Sequence, residues 1–149
     1  MFMTHLECAR SGQHYDADVL HNLSEVGAPL LARYDLEKAA DALSRDQLQD
    51  RPANMWRYRE VMPISTPTEI VSLGEGFTPL HHTTHLGQWA GFSQLYIKDE
   101  SLNPTGSFKA RGLSAAVTCA KARGAHKLAI PTAGNAGGAD KQEGGGGEG

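Results

Sequence analysis

The apolar positions change period along the chain, and each change predicts an element. From residue 5 to 34 the apolar pieces are short and separated by Gly and polar turns, as within "LECARSGQHYDADVLHNLSEVGAPLLARYD". That pattern predicts a small β module. Asp35 can cap a helix through its side-chain oxygen. Leu36, Ala39, Ala40 and Leu43 follow at i, i+3, i+4 and i+7, one apolar helical face. The helix should stop before Arg51-Pro52. "MWRYREVMPI" reads as a packing segment or linker, and "SLGEGFTPL" as a loop ending in an extended piece. Beyond residue 95 the pattern becomes regular. "LYIK" predicts a strand, "DESLNPTGS" a loop and residues 108–123 a helix. Leu113, Ala116, Val117 and Ala120 mark that helix's buried stripe, and Gly124 supplies its stop. "HKLAIPT" predicts a second strand. Strand, helix, strand is a βαβ unit, which implies parallel pairing and a right-handed crossover. The Gly-rich "AGNAGGA" then leaves the sheet at its carboxyl edge, where open α/β sheets bind ligands.

Composition narrows the function classes. The chain has 149 residues, 40% hydrophobic and 21% charged, ordinary for a globular domain. A net charge of −3 gives no basic footprint for nucleic acid. No apolar run is long enough for a membrane span, and "MFMTHLECAR" lacks the core of a secretory signal. Cys8 and Cys119 alone make no disulfide framework, which favours a cytoplasmic protein. Positions 8, 11, 24 and 27 have zinc-ribbon spacing but read Cys8, Ser11, Ser24 and Gly27. One thiolate cannot hold a tetrahedral zinc, so a ribbon-like module without metal is expected. The tail "DKQEGGGGEG" has no apolar side chain and is expected to be disordered. The break after Ala139 suggests that the natural chain continues differently. Three regions result: a degenerate ribbon-like module over 1–35, the start of an incomplete α/β domain over 36–139, and a Gly-rich tail over 140–149.

The chemistry centres on "NPTGSFKARG". Lys109 lies four residues before Leu113, on the side assigned to the buried stripe, so it is expected to face inward. Burial and the positive end of the helix dipole both favour a neutral amine. Ser107 is placed as N-cap, beside backbone N–H groups that can bind an anion. A neutral amine there suits Schiff-base chemistry. The other reading is a lysine that snorkels along apolar surface.

Several ordered segments extend the reading. "KDESLNPTGSFKARG" resembles the cofactor-lysine segment of fold-type II pyridoxal-phosphate enzymes, in their threonine synthase branch. "SLGEGFTPL" is similar to a segment upstream of it, and "PTAGNAGGA" resembles the Ser/Thr-Gly-Asn loop. "LLARYDLEKA" and "MWRYREVMP" resemble the N-terminal part of the same branch. The resemblance implies a partial three-layer α/β/α domain with a parallel sheet, truncated, and pyridoxal 5'-phosphate as cofactor. Lys109 would carry the cofactor in a Schiff base and move protons. Phe108 would lie near the cofactor ring, and Asn135 would bond its phenolic oxygen. Thr132, Ala133, Gly134 and Ala136 would surround the substrate carboxylate, although the family often has Ser or Thr at the two alanines. Lys98 and Ser101 would help to bind a substrate phosphate.

The implied reaction is O-phosphohomoserine and water to threonine and phosphate, on a small amino-acid substrate, with the full-length parent a homodimer. A threonine dehydratase, a cysteate-forming enzyme, an ammonia-lyase or a non-catalytic remnant are the alternatives. The family's later glycine loop for the cofactor phosphate and its partner for the pyridine nitrogen have no counterpart here, so the isolated chain is expected to be inactive.

Overall fold

A computed structural model describes residues 2–64, 70–130 and 134 of the chain. Its first unit is a three-stranded antiparallel sheet of β1 (Met3–Cys8), β2 (His14–Tyr15) and β3 (Leu30–Tyr34), in the order β2-β1-β3. Gly12 closes the first turn with φ 72°, its N–H donating to the Cys8 carbonyl at 3.0 Å. The Cys8 side chain is buried and donates to Ser24 Oγ at 3.2 Å. Its sulfur accepts from the Ser11 and Arg10 amides at 3.3 and 3.4 Å. Hydrogen bonds that Ser11, then Ser24, can give to the thiolate once the proton has left pull the thiol down to about 6. Positions 8 and 24 of the ribbon spacing therefore meet, while Ser11 stays exposed.

The single helix expected after Asp35 is two helices. Asp35 does cap the first, α1 (Leu36–Ala42), by accepting from the Lys38 amide at 3.0 Å. Leu43 is then extended, and Ser44 starts α2 (Arg45–Gln49). The cause is a capping box: Ser44 Oγ accepts from Gln47 N–H, and Gln47 Oε1 accepts from Ser44 N–H. This reciprocal cap restarts the helix across positions that the apolar stripe runs through.

"MWRYREV" winds into a 3-10 helix, Met55–Val61, started by Asn54 accepting from the Trp56 amide at 3.0 Å. Met55 and Trp56 form the core with Ile64, and Met62, Ala115 and Cys119 pack on it. Arg51 grips Glu60 through two bonds of 2.7 and 2.8 Å, with both side chains largely buried.

β4 (Leu80–His82), α3 (Thr84–Ala90) and β5 (Tyr96–Lys98) follow. β4 and β5 pair antiparallel, with Leu80 opposite Lys98 and His82 opposite Tyr96. The expected parallel pairing of the 95–98 strand with the 126–132 segment is not found among the described residues. Residues 126–130 form no strand, and 131–132 lie outside the described residues. The extended end of "SLGEGFTPL" lies nearer in sequence and takes β5's hydrogen bonds instead. The observed architecture is thus α/β with two small antiparallel sheets and no third layer among the described residues.

α4 (Lys109–Ala122) matches its predicted span. Its buried side differs. Ala110, Ser114, Val117, Thr118 and Ala120 are buried, Leu113 is partly buried, and Lys109 and Ala116 are exposed. Two polar residues turn the helix by about one position. Ser114 Oγ donates to the Val71 carbonyl at 2.8 Å, and Thr118 Oγ1 accepts from the Val71 amide at 3.0 Å. No described helix is long and apolar enough to cross a membrane. The tail segment 140–149 lies outside the described residues.

Candidate cofactor site

The loop from β5 to α4 is tied down before it reaches Lys109. Asp99 accepts from the Ser101 amide at 3.0 Å and from its hydroxyl at 2.6 Å, opening a short 3-10 turn over Glu100–Leu102. Asn103 is buried. Its amide group donates to the Glu100 carbonyl and carboxylate, and its oxygen accepts from the Gly76 amide at 3.0 Å. Glu100 then reaches across the loop to α4. Arg111 donates to both its carboxylate oxygens at 2.7 and 2.8 Å, and Thr78 Oγ1 donates at 2.6 Å. The Arg111 guanidinium, then the Thr78 hydroxyl, hold the Glu100 carboxyl at about 2. The two ends of the loop are therefore clamped by one ion pair.

A second buried carboxylate holds the loop that precedes β4. Glu75 has no exposed surface. It accepts from Trp56 Nε1 at 3.1 Å, Ser72 Oγ at 2.9 Å and the Leu73 amide at 2.9 Å. Trp56 Nε1 also donates to Ser114 of α4 at 2.9 Å. Burial pushes the Glu75 carboxyl up, but hydrogen bonds, those from the Leu73 amide and Ser72 among them, pull it below the usual carboxylate range. Gly76 follows with φ 97°, and a Cβ there would meet Met55 N at 2.7 Å and an Arg111 nitrogen at 2.9 Å. Only glycine lets this loop lie against the core and α4 together.

At the start of α4, Ser107 is buried and accepts from the Lys109 amide at 3.3 Å. Its hydroxyl thus supplies the capping bond expected of it, although Phe108 is the residue at the helix boundary. Lys109 is exposed, contrary to the inward orientation read from spacing. The helix rotation imposed by Ser114 and Thr118 is the reason. The Lys109 ammonium has no hydrogen bond or ion pair among the described residues. Phe108 beside it is 63% exposed.

A cleft of about 340 Å³ opens nearby, walled by Met55, Tyr58 and Phe77 and edged by Arg57, Lys98 and Arg111. Arg57 lies 4.7 Å from the Phe77 ring centroid, in cation–π range. Lys98 lines this cleft and donates to the Thr78 carbonyl. Ser101, Phe108 and Lys109 are not part of its lining. Gly134 is exposed with φ 145°, a conformation for glycine. Thr132, Ala133, Asn135 and Ala136 lie outside the described residues. The described residues thus bring Lys98 to a cationic cleft and leave Lys109 and Phe108 on an open helix end. The sequence reading missed Glu75, Glu100, Asn103 and Arg111. The glycines flanking Glu75 were the one local signal for any of them.

Residues 71–139 match the family of pyridoxal-phosphate dependent enzymes. The chain is 39% identical to threonine synthase of Methanocaldococcus jannaschii over 128 residues, covering 86% of this chain and 32% of that protein. It is 34% identical to threonine synthase of Methanosarcina acetivorans over 134 residues, 89% of this chain and 32% of the relative. Threonine synthase of Mycobacterium tuberculosis is 40% identical over 87 residues, 58% of this chain and 24% of the relative. The chain is thus similar to threonine synthases along most of its length, and its residues 71–139 match the pyridoxal-phosphate dependent enzyme family. It spans about a third of the length of the first two relatives. No solved structure matches it.

The family's cofactor is pyridoxal phosphate. The residues present can be tested against that group at Lys109. An aldehyde needs an accessible primary amine that is not held by a carboxylate. The exposed and unpaired Lys109 amine, at the end of a helix whose entry loop is clamped, fits that need. Lys38, by contrast, is bound to Asp35 at 2.7 Å, and Lys98 to the Thr78 carbonyl.

Proposed function

We propose that this chain forms the lysine-bearing part of a threonine synthase-like lyase that converts O-phosphohomoserine and water to threonine and phosphate. The supporting observation is the Lys109 amine, accessible and unpaired within the family-matched stretch. The relatives named threonine synthase also match well upstream of residue 71, which favours that branch over other enzymes of the family.

Pyridoxal phosphate supplies an electron sink for a carbanion next to the substrate nitrogen. Lys109 would hold the cofactor through Nζ, and its amine would carry a proton between substrate carbons as base and then acid. Phe108 offers an apolar face beside it. The Glu100–Arg111 pair keeps the first turn of α4 fixed to the loop, so Lys109 starts from a set position. Lys98, with Arg57 and Arg111, gives the neighbouring cleft the positive charge that a substrate phosphate needs. Asn135 is assigned to the cofactor's phenolic oxygen. Thr132, Ala133, Gly134 and Ala136 are assigned to the substrate carboxylate. Ser101, bonded to Asp99, is assigned a lesser part in phosphate binding.

Titration of the purified chain with pyridoxal phosphate, followed by visible absorbance, tests the assignment. A saturable band distinct from that of the free cofactor, lost in Lys109→Ala and kept in Lys121→Ala, is expected. Equal bands in wild type and Lys109→Ala would overturn it.

A further inference from the structure

The β1–β2 hairpin carries a cluster that the cofactor chemistry does not use. His5 and Glu7 are two residues apart on β1 and leave the same face of the strand. Glu7 is directly opposite His14 of β2, which brings a third side chain to that face. The His5 and His14 ring centroids are 3.9 Å apart. His14 Nε2 lies 3.9 Å from Glu7 Oε2. One ligand atom from each of the three residues lies within 4.8 Å of the others.

Hydrogen bonding decides which His5 nitrogen is available. Thr4 Oγ1 donates its one proton to the Arg33 carbonyl at 3.1 Å. Its 2.9 Å contact with His5 Nδ1 must then be one in which the imidazole donates. Nδ1 carries the proton, and Nε2 is left with a bare lone pair. That Nε2 is buried and has no hydrogen-bond partner. A buried acceptor left unpaired is costly and calls for a partner. A histidine whose Nδ1–H is held by an oxygen, with Nε2 free, is oriented as metal-binding histidines are. Glu7 is oriented as well, because Arg33 donates to both its oxygens at 2.6 and 3.1 Å. Each carboxylate oxygen keeps a further lone pair for a cation.

We propose that His5, Glu7 and His14 form a divalent transition-metal site, with zinc as the favoured ion, that ties β2 to β1. Two imidazoles and one carboxylate are a donor set suited to zinc, with a fourth position for water. Bonds of about 2.0–2.2 Å place the ligand atoms of a tetrahedral ion about 3.4 Å apart. The His14–Glu7 distance of 3.9 Å is within about half an ångström of that, and the widest gap, at most 4.8 Å, closes by side-chain adjustment on ion binding. β2 is two residues long, so a metal that bridges it to β1 supplies a tie that its few hydrogen bonds do not. The site is separate from the 8, 11, 24 and 27 spacing, which holds one thiol.

The test is calorimetric titration of the metal-free, full 149-residue chain with zinc chloride, alongside a cobalt(II) titration followed by visible absorbance. One equivalent of zinc should bind, with a tetrahedral cobalt spectrum. His14→Ala should weaken binding at least about tenfold. Thr4→Val, which removes the group that sets the His5 tautomer, should weaken it by about tenfold. A double His81→Ala/His82→Ala variant should bind as wild type does. His14 is exposed, so its variant keeps the test valid even if His5→Ala fails to fold. Absence of zinc binding in the wild type, binding unchanged by His14→Ala, or binding lost only with His81 and His82 would each overturn the proposal.

Discussion

Glu75→Gln is the sharpest perturbation of the scaffold. The carboxylate is fully buried and accepts from Trp56, Ser72 and the Leu73 amide. A glutamine can keep its oxygen toward Trp56 and Ser72. Its NH2 then faces the Leu73 N–H, donor against donor. One charge-assisted bond is lost and a buried N–H is left unpaired, together about 2–4 kcal/mol. Urea unfolding followed by Trp56 fluorescence measures this directly. Trp89 is 86% exposed, so a Trp89→Phe background removes its signal without touching the core. The pH dependence gives a second check. The folded carboxyl is held below its ordinary value, so its stabilisation is complete above the unfolded value, near pH 4.5. It is lost as pH falls through the folded value. The gap between wild type and Glu75→Gln should be full at pH 7 and narrow below about pH 4. A gap under about 0.5 kcal/mol at pH 7, or one that widens on acidification, would refute the reasoning.

Gly76→Ala should cost about 2–4 kcal/mol in the same assay, from positive φ and from contact with Met55 and Arg111. Arg51→Met should cost about 2–4 kcal/mol, because it leaves the buried Glu60 carboxylate with only the longer 3.7 Å contact to Arg59, and Arg51→Met/Glu60→Leu should recover much of that; a double variant no better than the single one counts against a paired-charge effect. Glu100, held at about 2 by Arg111 and Thr78, adds stability that is present above about pH 4.5 and lost as pH falls toward 2. Glu100→Gln should therefore flatten acid unfolding over that range, by about 1–2 kcal/mol after discounting for solvent screening.

Local chemistry made part of this structure legible from the chain. Asp35 caps α1, Ser107 caps the start of α4, and Gly124 follows its end with φ 80°. Each signal acts within a few residues, so it survives whatever the rest of the chain does. What depended on distant partners was misread. Ser114 and Thr118 are buried because Val71 and Trp56 bond to them, and an apolar stripe does not reveal such positions. The resulting rotation exposed Lys109, which helical spacing had turned inward. The break between α1 and α2 was local, but it sat in Ser44 and Gln47, polar residues that an apolar period passes over. The β4–β5 pairing was missed because β4 lies at the end of a segment read as a loop. "SFKARG" with Lys109 lies within the stretch that the family match covers.

The central claim is that Lys109 is the residue that holds pyridoxal phosphate. Borohydride reduction of the chain mixed with one equivalent of cofactor, followed by peptide mapping, tests it most directly. The six lysines compete in one tube. The account predicts a reduced adduct concentrated on Lys109, with little on Lys38 or Lys98, whose amines are already bound. An adduct spread evenly over the lysines, or concentrated on any other one, would contradict it.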